Sequence, residues 1–146
     1  IADIGCKNVD LEPPVALGEL PRIIAGAALC LGGHFGRSEK AGRVIAGKTV
    51  QCLACGKPTI LGDNPANREL FTHGQDVWMC PMGDPTALAG AISQLLASPA
   101  LCADLGRAGR ETVARACGDA ATAQAVQAAI AAASQQHQNG VPRTRS

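Results

Sequence analysis

The sequence predicts an α/β domain built on a parallel sheet, and three observations carry that prediction. Short apolar runs at 28–31 and 58–62 alternate with stretches of helical periodicity. Several of those stretches open on a proline set directly after a capping side chain, at Asn64-Pro65, Asp84-Pro85 and Ser98-Pro99. Glycines close the two apolar runs, at Gly32-Gly33 and at Gly62, where a strand hands over to a loop.

Residues 1–8 carry no pattern. Val9-Asp10-Leu11 alternates and meets Glu12-Pro13-Pro14, so a short strand ended by prolines is expected. From Leu17 the pattern turns helical, with Leu20, Ile23, Ile24 and Ala27 on one face and Glu19 and Arg22 elsewhere. Ala28-Leu29-Cys30-Leu31 is uninterrupted, as expected of a strand buried on both faces of a parallel sheet. A glycine-rich basic loop follows. The next helix is expected from Thr49 to Cys55, burying Val50, Leu53 and Ala54 and stopping at Gly56, a residue suited to a left-handed cap.

Residues 58–62 form the next expected strand, and a short helix runs from Pro65 to about Phe71, where Thr72-His73-Gly74 ends it. Asp76 to Cys80 reads as an edge-side strand, Val77 and Met79 alternating against Asp76, Trp78 and Cys80. The clearest helix starts at Asp84-Pro85, with Leu88, Ile92, Leu95 and Leu96 on one face. Ser98-Pro99 ends it and caps another that uses Leu101, Leu105, Ala108 and Val113. An alanine-rich helix over 120–133 sets Val126 and Ile130 one turn apart, and the polar stretch from Gln135 to Ser146 is expected to be disordered.

The 146 residues bound the chain to one domain, and a 47% hydrophobic content is enough for a normal core. Aromatics are only 2%, so that core must be aliphatic. A net charge of +1 excludes a global field that would draw the chain to nucleic acid, and basic residues matter only where they cluster. Seven cysteines with no signal peptide before them read as reduced thiols of a cytoplasmic protein. Cys52 and Cys55 form a C-x-x-C with no second pair at zinc spacing, so no metal site is expected. No apolar run approaches a membrane span of roughly 20 residues. The chain opens without methionine and in mid-pattern, which suggests a fragment or excised domain.

The main basic cluster is the loop that carries Arg37, Lys40, Arg43 and Lys48. Such a loop can aim backbone N–H groups and cations at one point, and a helix beginning near Lys48 adds its positive end. A parallel sheet places its ligand crevice at the carboxyl ends of its strands, here Gly32-Gly33 and Gly62-Asp63-Asn64. Motif and topology agree on a site for a phosphorylated ligand.

Three motifs in order carry a family resemblance: Gly47-Lys48-Thr49-Val50-Gln51-Cys52-Leu53-Ala54-Cys55-Gly56-Lys57-Pro58-Thr59-Ile60, then Pro65-Ala66-Asn67-Arg68-Glu69-Leu70, then Pro81-Met82-Gly83-Asp84-Pro85. From about Val9 to about Ala116 the chain resembles the C-terminal half of a family 4 glycosyltransferase. The resemblance implies a Rossmann-like three-layer parallel sheet with helices on both faces, part of a GT-B fold. It implies a donor-binding domain over 1–133, truncated at its N-terminal side, with a tail over 134–146. It also implies retaining transfer of a sugar from a UDP- or GDP-sugar to a glycan, lipid or polysaccharide precursor. No cofactor is implied beyond the nucleotide-sugar substrate.

In the family, two glutamates stand at a fixed interval and the second holds the ribose. Here the second position is Gln51, whose amide can still pair with a diol, and the first falls on Arg43. The resemblance therefore leaves Glu39 as the candidate carboxylate near the donor sugar. Lys48 is the candidate cation for the departing diphosphate, with Arg43 second. Phe35-Gly36 is expected as the backbone wall of the sugar site, Gly33 as a close-approach glycine, and Val50 and Glu69 as further donor contacts. The partner implied is an N-terminal Rossmann-like domain of the same parent chain, through which peripheral membrane contact is open. The polypeptide alone is expected to be inactive. The alternatives are an epimerase-type GT-B enzyme and a domain that binds nucleotide or partner without catalysis.

Overall fold

The computed structural model describes residues 8–140, with side chains described for 8–135. A 3-10 turn at Leu17–Glu19 leads into α1 (Leu20–Gly26), followed by β1 (Cys30–Leu31), α2 (Glu39–Gly42), α3 (Gly47–Ala54) and β2 (Thr59–Asp63). Then come α4 (Pro65–Leu70), β3 (Trp78–Pro81), α5 (Pro85–Leu96), α6 (Pro99–Cys117) and α7 (Asp119–Gly140). The strands lie in the order β1-β2-β3, all parallel, with Cys30 opposite Thr59 and Ile60 opposite Trp78.

Side-chain alternation along β2 makes the domain three layers thick. Leu61 joins Leu53 of α3, Phe71, Val77, Met79 and Val113 of α6 in one cluster. Ile60 joins Cys80, Ala91 and Leu95 of α5 and Leu105 of α6 in the other. The long helix α6 thus reaches both layers. Burial of β2 on both faces explains its aliphatic run, because helices cover both sides of a central parallel strand.

The three proline-led helices form, but the expected cap of Ser98 on α6 is corrected, since its side chain makes no cap hydrogen bond. Asn64 and Asp84 accept from the backbone N–H of Asn67 and Ala87, capping α4 and α5. Gly56 sits at φ +70° behind α3.

Several expectations are corrected. Residues 9–11 form no strand, because their alternation meets no strand to pair with among the described residues. β1 is only two residues long and lies at an edge of the sheet among the described residues, with Leu31 41% exposed, so it is not buried on both faces. In β3, Met79 and Cys80 are both buried, since helices cover both sides there as well. Leu96 is exposed, and Ala91 takes its place on the inner face of α5. The basic loop contains a helix, α2, that periodicity did not announce. Finally, α7 continues through Gly140, past the Gln135 where a disordered tail was expected, while 141–146 lie outside the described residues.

Candidate functional site

The loop after β1 crosses the carboxyl ends of all three strands. Gly32 donates its N–H to Ile60 and accepts from the Thr49 hydroxyl at 3.2 Å, which pins the loop to the first turn of α3. A Cβ at Gly32 would meet Leu61, Thr49 and Thr59, so only glycine lets strand and helix approach this closely. His34 then lays its carbonyl against Gly62 at the end of β2. Phe35 accepts from the Gly83 N–H at 2.6 Å, and Arg37 Nε donates to the Met82 carbonyl at 3.1 Å, both just beyond β3.

At the centre of this crossing, Gly33 has φ +75° and is buried beneath the side chain of Lys48. Lys48 is the second residue of α3, whose N-cap position, Ala46, supplies no side-chain acceptor. The first-turn N–H groups and the ammonium therefore lie at one end of the helix, an arrangement that suits an anion. Beside it, Phe35, Gly36, Pro81, Gly83, Pro85 and Leu88 line a mainly apolar cavity of about 300 Å³.

The structure thus brings together Gly33, Phe35, Gly36 and Lys48. The other candidates lie elsewhere or are engaged. Glu39 and Arg43 form an ion pair with each other along α2, and both are exposed. Val50 packs against the α3–α6 cluster. Gln51 lines a separate cavity of about 250 Å³ with Leu20, Pro21 and Ile24 of α1. Glu69 is exposed near the end of α4, while its neighbour Arg68 pairs with Asp63. The Arg68 guanidinium hydrogen-bonded to Asp63 holds that carboxyl below the ordinary aspartate range, against a smaller opposing effect of burial.

Two contributors escape sequence reasoning. Thr49, fully buried, holds Gly32, and nothing in the helical pattern singles out its hydroxyl. Asn64 caps α4 with its oxygen and donates its amide N–H to the Ala41 carbonyl at 3.2 Å, so one side chain ties β2's end to α2. The cap is visible in Asn64-Pro65; the second bond is not. Among the described residues no group of His, Cys, Asp and Glu has the geometry of a metal site, and no single helix is long and apolar enough to cross a membrane.

Comparison with known proteins places this arrangement in context. A family model described as "Glycosyl transferase-like" matches residues 3–137. The protein named "Putative glycosyltransferase EpsD" of Bacillus subtilis (strain 168) is 38% identical over 63 residues, covering 43% of this chain and 16% of that protein. Among solved structures, sucrose-phosphate synthase from Thermosynechococcus elongatus superposes with a TM-score of 0.56 at 24% identity, over 75% of this chain and 27% of that one. That similarity is of fold, and the fold is the α/β arrangement of a GT-B glycosyltransferase. The chain spans well under a third of either protein.

Proposed function

The chain belongs to the glycosyl transferase-like family, and from that premise we propose that it holds the nucleoside diphosphate end of a UDP- or GDP-sugar. The protein of which it is the donor half would transfer the sugar, with retention, to a glycan, lipid or polysaccharide precursor. The observation that carries this reading is the Lys48 ammonium laid over Gly33 at the carboxyl end of a parallel sheet, beside the uncapped start of α3. A diphosphate seated there would put the attached sugar toward the cavity walled by Phe35 and Gly36. Lys48 would then offset the negative charge that builds on the leaving diphosphate. The acceptor is assigned to a second, N-terminal Rossmann-like domain, because transfer needs both reactants held in one cleft.

A second reading, nucleotide binding without transfer, is favoured by one feature. Arg43 stands where the family resemblance expects the first glutamate, and Glu39 is engaged by that same Arg43. No carboxylate in α2 is left unpaired to serve the sugar.

Titration of isotope-labelled protein with UDP and GDP, followed through amide chemical shifts, tests the proposal. Shifts centred on residues 33–36 and 47–49 are expected. Shifts confined to α5, α6 and α7 would place the ligand elsewhere.

A further inference from the structure

The Cys52-x-x-Cys55 spacing draws attention to a pair within α3, yet the packing gives Cys52 a different neighbour. Cys30 of β1 and Gly32, the residue just past its end, point to the same face, and in α3, Thr49 and Cys52 lie one turn apart on the same side. Thr49 bonds to Gly32, so the next contact along this strand–helix seam sets Cys52 against Cys30. The turn after α3 confirms the alignment from its other end. Lys57 donates its N–H to the Cys52 carbonyl at 3.2 Å, and Cys30 donates its own to the Pro58 carbonyl at 2.9 Å, so adjacent residues tether both cysteines. Cys30 and Cys52 are thus side-chain neighbours, and both residues are buried.

We propose that Cys30 and Cys52 form a reversible disulfide that fastens β1 to α3 and closes a ring around residues 31–51, the segment that holds Gly33, Phe35, Gly36 and Lys48. The oxidant is a small hydroperoxide. Cys30, as thiolate, attacks one peroxide oxygen; the O–O bond breaks, a sulfenic acid forms on Cys30, and the departing hydroxide or alkoxide takes a proton from solvent. The Cys52 sulfur then attacks the Cys30 sulfur. The S–S bond forms as the S–O bond breaks, and the leaving hydroxide with the Cys52 proton becomes water. Two thiols are oxidised by two electrons, and one peroxide is reduced to water and an alcohol or a second water.

The local electrostatics assign the roles. The neighbouring Cys52 side chain lowers the Cys30 thiol, against burial and with help from the Lys57 ammonium, so Cys30 is the thiol of the pair that ionises first. The same contact, with burial, pushes the Cys52 thiol up, so Cys52 keeps its proton while Cys30 is a thiolate and attacks only after oxidation has removed that charge. Cys55, partly exposed, lies beside Cys52 as a competitor for the bond.

The test is a disulfide map of the 146-residue chain after brief treatment with hydrogen peroxide. The expected product is lighter by two hydrogens, and its tryptic digest joins the peptide of residues 23–37 to the peptide that begins at Thr49. That link should persist in Cys55→Ser, vanish in Cys52→Ser and revert with a thiol reductant. A Cys52–Cys55 bond, a bond to any of the other thiols, or conversion of Cys30 to sulfinic acid without cross-linking would each overturn the proposal. Fragmentation of the linked wild-type peptide between Cys52 and Cys55, which share one tryptic peptide, decides which of them bonds to Cys30 even if a variant fails to fold.

Discussion

Lys48 lies across Gly33 so closely that a Cβ on the glycine would stand 3.0 Å from Lys48 Cε and 3.2 Å from Nζ. The backbone of Gly33 is left-handed, at φ +75°, a conformation that costs an L-residue about 1–2 kcal/mol. Gly33→Ala therefore incurs that strain and displaces the ammonium. The expected result is a folded protein with a lower unfolding midpoint and about tenfold weaker UDP or GDP binding, equivalent to about 1.4 kcal/mol. Thermal denaturation and nucleotide titration measure the two effects separately. Undiminished binding would show that the ligand does not use this crossing.

For the transfer reaction proposed above, Lys48→Ala is expected to lower turnover more than donor affinity, since charge on the departing diphosphate would grow toward the transition state. The loss should be on the order of 10²-fold, as for removal of one preorganised stabilising group. Steady-state kinetics separate the possibilities. An unchanged kcat with only a raised donor KM would make Lys48 a ground-state contact.

The Asp63–Arg68 pair at the end of β2 predicts a pH dependence of stability. Because the folded carboxyl is held below its unfolded value of about 3.9, its contribution is present above that value and is lost as pH falls through the depressed folded one. Side-chain exposures of 65% for Arg68 and 31% for Asp63 keep the contribution small and salt-sensitive. Asp63→Asn should thus lower the unfolding midpoint slightly at neutral pH, and the difference from the parent should close in strong acid. A difference that widened in acid would carry the opposite sign.

Local chemistry determined much of this protein before any tertiary contact was known. The alternation of apolar runs and periodic stretches, the Asn64-Pro65 and Asp84-Pro85 starts and the left-handed stop at Gly56 are decided within a few residues. They act on φ, ψ and the nearest N–H groups, so they are readable in the chain itself. The same holds for a glycine-rich basic loop after the first strand, which located the crossing of Gly33 and Lys48. Only the tertiary structure decided what each element faces. An apolar run reports that a strand is shielded but not how many neighbours shield it, and among the described residues β1 is an edge. Helical periodicity marks an inner face without saying which element covers it, so Gln51 turns to α1 and Val50 to α6 rather than to the crevice. Cys52 meets Cys30 rather than Cys55 because the Thr49–Gly32 contact sets the register of helix on strand. That register depends on a missing Cβ and a buried hydroxyl far apart in sequence, a close approach that no local pattern encodes.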